Sequence, residues 1–165
     1  MVMRCCQIQK VLKVIIMTFK NYMNLAIEEA KKAQVRGEVP IGAVIIDQYG
    51  KILSREGNRT IELNDPTAHA EILAIRKACH IMQNQRLINC SMYVTLEPCP
   101  MCAAAISNAR ISKLYFGAED YKSGGVYNGP KLYLNKQCHH IPEVFDGIGL
   151  TESEHILKSF FKARR

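Results

Sequence analysis

Four side chains in this sequence are spaced for metal chemistry. In "PCPMC", Cys99 and Cys102 stand at i and i+3, neighbours on one helical face and a spacing at which two thiolates chelate one ion. In "TAHAE", His69 and Glu71 are two residues apart. That is about 200° around a helix, so the two cannot share a lateral face. They serve one bound species only if the helix is used end-on, with its first turn aimed at something beyond its N-terminus. Each feature alone has a plainer reading: a C-x-x-C can be a redox pair, and a glutamate in a first turn commonly complements the helix dipole.

Context moves both toward a metal. "PCPMC" follows a strand-like run and opens an alanine-rich helix, where exposed N–H groups and the helix dipole favour thiolates. His69 then offers a third ligand from another first turn, and zinc suits this nitrogen and sulfur set. Four protein ligands would close the ion structurally, whereas three leave a place for water. Cys79, Cys90, Cys138, His80, His139 and His140 are candidates for a fourth, and none has a paired spacing. Cys79 and Cys90 fall on apolar positions, which leaves Cys138, His139 and His140 as a group that could close the site. With three ligands, zinc lowers the pKa of a bound water from 15.7 to about 7. Glu71, two residues from a ligand and not itself one, is placed to carry the proton.

The elements that position these residues follow from periodicity. Tyr22, Leu25, Ala26, Ala30 and Ala33 predict a helix from Asn21 to Arg36, stopped by Gly37. "PIGAVIID" and "KILSREG" predict a hairpin around Gln48, Tyr49 and Gly50. Asp65 and Pro66 mark the next helix start, with Asp65 or Thr67 as cap and Ala68, Ile72, Ile75 and Cys79 on one side. A strand from Cys90 to Leu96 runs into "EPCPMCAAAISNA", a short helix opened by Pro98 or Pro100. "KLYFGA" reads as a strand, "EDYKSGGVYNGP" as a loop, and Glu143 to Phe145 as a short strand. The stretch before Pro142 has no clear period, and a last helix is expected from Thr151 to Arg164. Alternating strands and helices predict an α/β fold, a three-layer α/β/α sandwich whose mixed sheet begins with an antiparallel pair.

At 165 residues, 48% of them apolar and 22% charged, the chain is one globular domain and not a disordered one. The domain is expected over 17–165, with 1–16 an N-terminal extension or a misread start. The net charge of +7, with Lys158, Lys162, Arg164 and Arg165 clustered at the end, predicts a polyanionic partner. Seven cysteines, an odd number in a chain of this length, argue against a disulfide framework and for a reducing, cytoplasmic setting. "MVMRCCQIQKVLKVII" resembles a signal peptide only loosely: Lys13 interrupts its apolar patch and no small-residue cleavage site follows. It is also shorter than the roughly 20 residues of a membrane span, so no membrane partner is expected.

Taken together, "GEVPIGAVI", "GNR", "DPTAHAEI", "YVTLEPCPMC", "FGAEDYKSG" and "FFKARR" resemble the bacterial tRNA-specific adenosine deaminases, from about Asn21 to Arg165. The resemblance implies a cytidine-deaminase-like fold, a homodimer with one zinc per subunit, and hydrolysis of a tRNA wobble adenosine, in arginine tRNA, to inosine. It implies His69, Cys99 and Cys102 as ligands and Glu71 as the proton shuttle. It also implies Asn58 at the nucleoside, Asp120 and Lys122 near the flanking nucleotides, and Phe161 and Arg164 on a helix that approaches RNA. Between Val126 and Pro142 the chain departs from the family pattern. Two other functions use the same motifs, a deaminase of free guanine, cytosine or nucleosides and a zinc-stabilised RNA-binding module without catalysis.

Overall fold

The computed structural model describes residues 22–164, so the expectations for residues 1–16 and for Arg165 lie outside it. Helix α1 spans 22–35. It is followed by β1 (Gly42–Ile46), β2 (Ile52–Gly57), α2 (Ala70–Met82), β3 (Ser91–Leu96), α3 (Pro100–Asn108), β4 (Lys113–Ala118), β5 (Glu143–Phe145) and α4 (Leu150–Lys162). The sheet runs β2-β1-β3-β4-β5. β1 is antiparallel to β2 and β3, while β3, β4 and β5 are parallel, which makes the sheet mixed as expected.

Strand alternation divides the apolar residues between two faces. Ala43, Ile45, Met92, Val94, Leu114 and Phe116 pack on one side with Ala74 of α2 and Ile106 of α3. Val44, Tyr93 and Tyr115 face the other side, against Met23 and Ile27 of α1 and Ile156 of α4. Each fully buried aliphatic side chain contributes about 1.5–3 kcal/mol, so the sheet is held by both layers. Gly42 lets α1 lie directly on the sheet, because a Cβ there would overlap the Ala26 carbonyl. Among the described residues no helix is long and apolar enough to cross a membrane.

Two predicted details are corrected. Helix α2 starts later than Asp65 or Thr67 would place it: its N-cap is His69. The Asp65 Oδ1 accepts the Thr67 N–H at 2.8 Å and the Thr67 hydroxyl at 2.6 Å, a local turn that spends both candidate caps before the helix begins. The face of α2 is also rotated. Ala70, Ala74 and Ala78 are buried, whereas Ile72, Ile75 and Cys79 are half-buried flanks, because small side chains allow close approach to the sheet. Of the two prolines offered for α3, Pro100 is the one in its first turn, and Cys99 is the N-cap. In the stretch without a period, a 3₁₀ turn at Leu132–Leu134 buries Tyr133, whose hydroxyl donates to the Ala103 carbonyl at 3.2 Å.

Candidate metal centre and active site

The N-termini of α2 and α3 meet. Each N-cap is a metal-binding residue type, His69 for α2 and Cys99 for α3, and neither makes a side-chain cap bond to its own helix. The caps are therefore free to face outward. The His69 Nδ1 lies 3.7 Å from the Cys99 Sγ and 3.5 Å from the Cys102 Sγ. A tetrahedral zinc, with Zn–S of about 2.3 Å and Zn–N of about 2.0 Å, would set nitrogen and sulfur about 3.6 Å apart. The residues present thus fit that ion, and all three ligand atoms lie within 4.8 Å of one another.

Among the described residues no fourth histidine, cysteine or carboxylate joins the cluster. Cys138, offered above with its histidines as a closing group, sits instead by Ser107, 3.3 Å from its hydroxyl, and donates to the His140 carbonyl at 3.2 Å. The His140 ring packs its Nε2 2.6 Å from the Ile111 carbonyl. Cys90 is buried in the core, which pushes its thiol up to about 11.

Electrostatics in the cluster suit a cation. Contact with Cys102 and with the His69 ring lowers Cys99 to about 4, while contact with that thiolate, together with burial, raises Cys102. Two thiolates side by side repel, and a divalent ion between them removes the penalty. Hydrogen bonding to Cys99 also raises His69. Glu71 is the second residue of α2, only 3% exposed, and burial pushes its carboxyl up to about 7. Its Oε2 is buried with no hydrogen-bond partner among the described residues, and the carboxyl lies beside the Cys102 thiol of the cluster.

A family model for the cytidine and deoxycytidylate deaminase zinc-binding region matches residues 17–118. The chain belongs to that family. This deaminase is 52% identical to the tRNA-specific adenosine deaminase of Agrobacterium fabrum, over 88% of this chain and 95% of that protein. Identity to the tRNA-specific adenosine deaminase of Rickettsia bellii is 44%, over 87% and 99% respectively. A solved structure from work on A-to-I editing by tRNA:A34 deaminases at the wobble position superposes with a TM-score of 0.81 at 52% identity, covering 83% of this chain and 99% of that one. The cytidine-deaminase-like sandwich expected from sequence is the fold of the deaminase.

The remaining predicted residues are distributed unevenly. Asn58 is 3% exposed and adjoins the centre, its Oδ1 accepting the Ala70 N–H at 2.9 Å. Asp120 and Lys122 stand on the loop after β4, where the Asp120 Oδ1 accepts the N–H groups of Lys122 and Ser123 at 3.1 and 3.0 Å. Lys122 is exposed. Phe161 and Arg164 are not brought to the cluster: Phe161 is exposed on α4, and Arg164 lies over the Phe160 ring and donates to the Gly37 carbonyl at 2.6 Å.

Two buried glutamates escaped the reading of the sequence. Glu38 accepts the Ile61 and Glu62 N–H groups and the Thr60 hydroxyl, anchoring the turn that precedes α2. Glu97, between β3 and the metal turn, accepts five N–H bonds from residues 120–128. A signal did exist for Glu97, a lone charge ending the apolar strand "YVTL" two residues before a metal ligand.

Proposed function

We propose that this deaminase hydrolyses the exocyclic amine of the wobble adenosine in a tRNA anticodon, giving inosine and ammonia. His69, Cys99 and Cys102 are proposed to hold one zinc ion and Glu71 to move the protons. The observation that carries this reading is the orphan, buried Oε2 of Glu71 in the helix turn next to a three-ligand cluster. When bound, zinc supplies a Lewis acid that lowers the pKa of water from 15.7 to about 7. Glu71 takes one proton from the attacking water and delivers it to the purine ring nitrogen, then takes the second from the hydroxyl formed on C6 and delivers it to the departing amine. The water oxygen remains on C6 as the inosine carbonyl. A carboxyl held near neutrality by burial is suited to both acceptance and donation.

The naming and wobble-position context of its relatives support tRNA as the substrate of this chain. An anticodon loop presents an unpaired base, so extrusion costs less than the few kcal/mol of opening a duplex. The net charge of +7 supports salt-sensitive backbone binding, with a slope of roughly −0.7 per neutralised phosphate on single strands. Asn58, Asp120, Lys122, Phe161 and Arg164 are proposed RNA contacts, arginine tRNA the substrate, and a cytoplasmic homodimer the working form. Arg164 would exchange its bond to Gly37 for a phosphate.

The test incubates zinc-loaded enzyme separately with an arginine tRNA anticodon stem-loop, guanine and cytidine. Inosine in the RNA is the expected result. Ammonia from guanine or cytidine with no inosine in the RNA replaces this function with free-base deamination.

A further inference from the structure

We infer that Glu97 is a positioning residue, a clasp that fixes the loop of residues 119–128 against the metal turn and thereby sets affinity for RNA. The inference rests on the tRNA reading above for what the loop binds. Glu97 follows β3 directly, is 2% exposed, and donates its own N–H to the Ala118 carbonyl at 2.8 Å. Its two oxygens gather both ends of the loop. The Oε2 accepts the Asp120 N–H at 3.0 Å, where the loop begins, and the Asn128 Nδ2 at 2.6 Å. The Oε1 accepts the N–H groups of Val126, Tyr127 and Asn128, at 3.0, 2.8 and 3.0 Å, where the loop ends.

The closed loop is pressed onto the residues that lead into α3. The Gly125 N–H donates to the Pro98 carbonyl at 2.8 Å, and a Cβ on Gly125 would stand 2.6 Å from the Pro100 nitrogen. Only glycine fits there. Among the described residues Glu97 bonds to no metal-cluster side chain and to no lysine or arginine, so its whole hydrogen-bonding capacity goes to the loop. The Asp120 Oδ1 likewise holds the loop's own turn, accepting the Lys122 and Ser123 N–H groups. What remains outward is the tip, where Tyr121 is 81% exposed beside the exposed Lys122. A ring beside a cation suits a single-stranded nucleotide, by stacking and by phosphate attraction. Fixing the loop in advance removes an ordering cost from binding, and that cost would appear in KM and not in the chemical step.

The experiment compares zinc-loaded full-length Glu97→Gln with wild type on the anticodon stem-loop. The amide nitrogen of glutamine cannot accept the bonds that the Oε1 or Oε2 now accepts. KM is expected to rise about 10-fold or more, with kcat changed less than about 3-fold. Zinc stoichiometry should not change. Asn128→Ala, which removes one of the five donors, should raise KM less. Lys122→Ala should raise KM in wild type and have almost no further effect in the Glu97→Gln background, since both act through one loop. A readout without RNA is hydrogen exchange at the Val126, Tyr127 and Asn128 amides, expected slow in wild type and fast in Glu97→Gln. Unchanged exchange, unchanged KM, loss of zinc, or additive effects with Lys122→Ala would each overturn the clasp. If wild type leaves RNA unedited, the tRNA reading fails while the exchange measurement still decides the clasp.

Discussion

The Asn58 side chain starts the helix that carries the metal-site histidine: its Oδ1 accepts the Ala70 N–H at 2.9 Å, from twelve residues upstream. His69 is freed from capping its own helix because Asn58 does so from another segment. Removing this acceptor in Asn58→Ala leaves a buried N–H unpaired, at a cost of about 1–2 kcal/mol and a fall of a few degrees in Tm. Asn58→Asp keeps the acceptor and loses the amide donor. If the donor meets the nucleoside, the Asp variant keeps most of its Tm and loses RNA turnover through KM. Thermal melts and steady-state kinetics on the two variants separate the roles, and an Asp variant active as wild type would reduce Asn58 to a cap.

Glu71→Gln keeps the size of the side chain and removes its ability to move a proton. Turnover should fall by about 10²–10⁴ or more. Zinc content should not change, because Glu71 is outside the three-ligand cluster. Metal analysis alongside single-turnover inosine formation checks both halves. Full inosine formation in this variant would remove Glu71 as the proton carrier, whereas RNA binding with no inosine from wild type or variant would leave a zinc-stabilised RNA-binding module as the better description.

The sequence shows the skeleton of this site because its signals are local. A glycine with φ of +81° ends α1 where Gly37 predicted it, and the hairpin, "KLYFGA" and the strand at Glu143–Phe145 stand where their β-rich runs placed them. Cys99 and Cys102 were legible because i and i+3 spacing on a first turn is itself a geometry, and His69 because it stands at a second helix start. What was hidden depends on partners distant in sequence. The α2 cap comes from Asn58, Glu38 reaches residues 60–62, and Glu97 reaches residues 120–128. Periodicity treats a charged residue as solvent-facing, so it has no means of placing a carboxylate inside a ring of N–H groups. The stretch 126–142 was illegible for a related reason: its buried residues, Val126, Tyr133 and Pro142, are widely scattered, and Tyr133 enters the core through a single 3₁₀ turn too short to show a period.

Metal removal should silence the enzyme reversibly and expose its ligands. Cys99 is half-buried and Cys102 fully buried, whereas Cys90 lies in the core away from the cluster. With zinc bound, both ligand thiolates are occupied and resist alkylation. After chelation, iodoacetamide should modify Cys99 first, Cys102 more slowly and Cys90 last, as read by peptide mass spectrometry. Added zinc should restore protection and inosine formation together. Alkylation that proceeds equally with and without chelator would remove Cys99 and Cys102 from the ligand set.

Glu38 gives the fold a defined acid limit. Its buried carboxylate would be raised by desolvation alone, but the Glu62 N–H, the Thr60 hydroxyl and the Ile61 N–H outweigh that and hold it below the ordinary glutamate value. A carboxyl whose folded pKa is depressed adds stability above its unfolded pKa, about 4.3. That stability is lost as pH falls through the lower folded value, because protonation then costs the native state its acceptor. Glu38→Gln should therefore cost about 1–3 kcal/mol near neutrality, where the charged acceptor holds residues 60–62. The difference between wild type and variant should shrink as pH drops below about 4, since glutamine does not titrate. Urea unfolding from pH 7 to pH 3 measures the two curves. A difference that stays constant over that range would mean that charge on Glu38 is not what secures the turn ahead of the metal histidine.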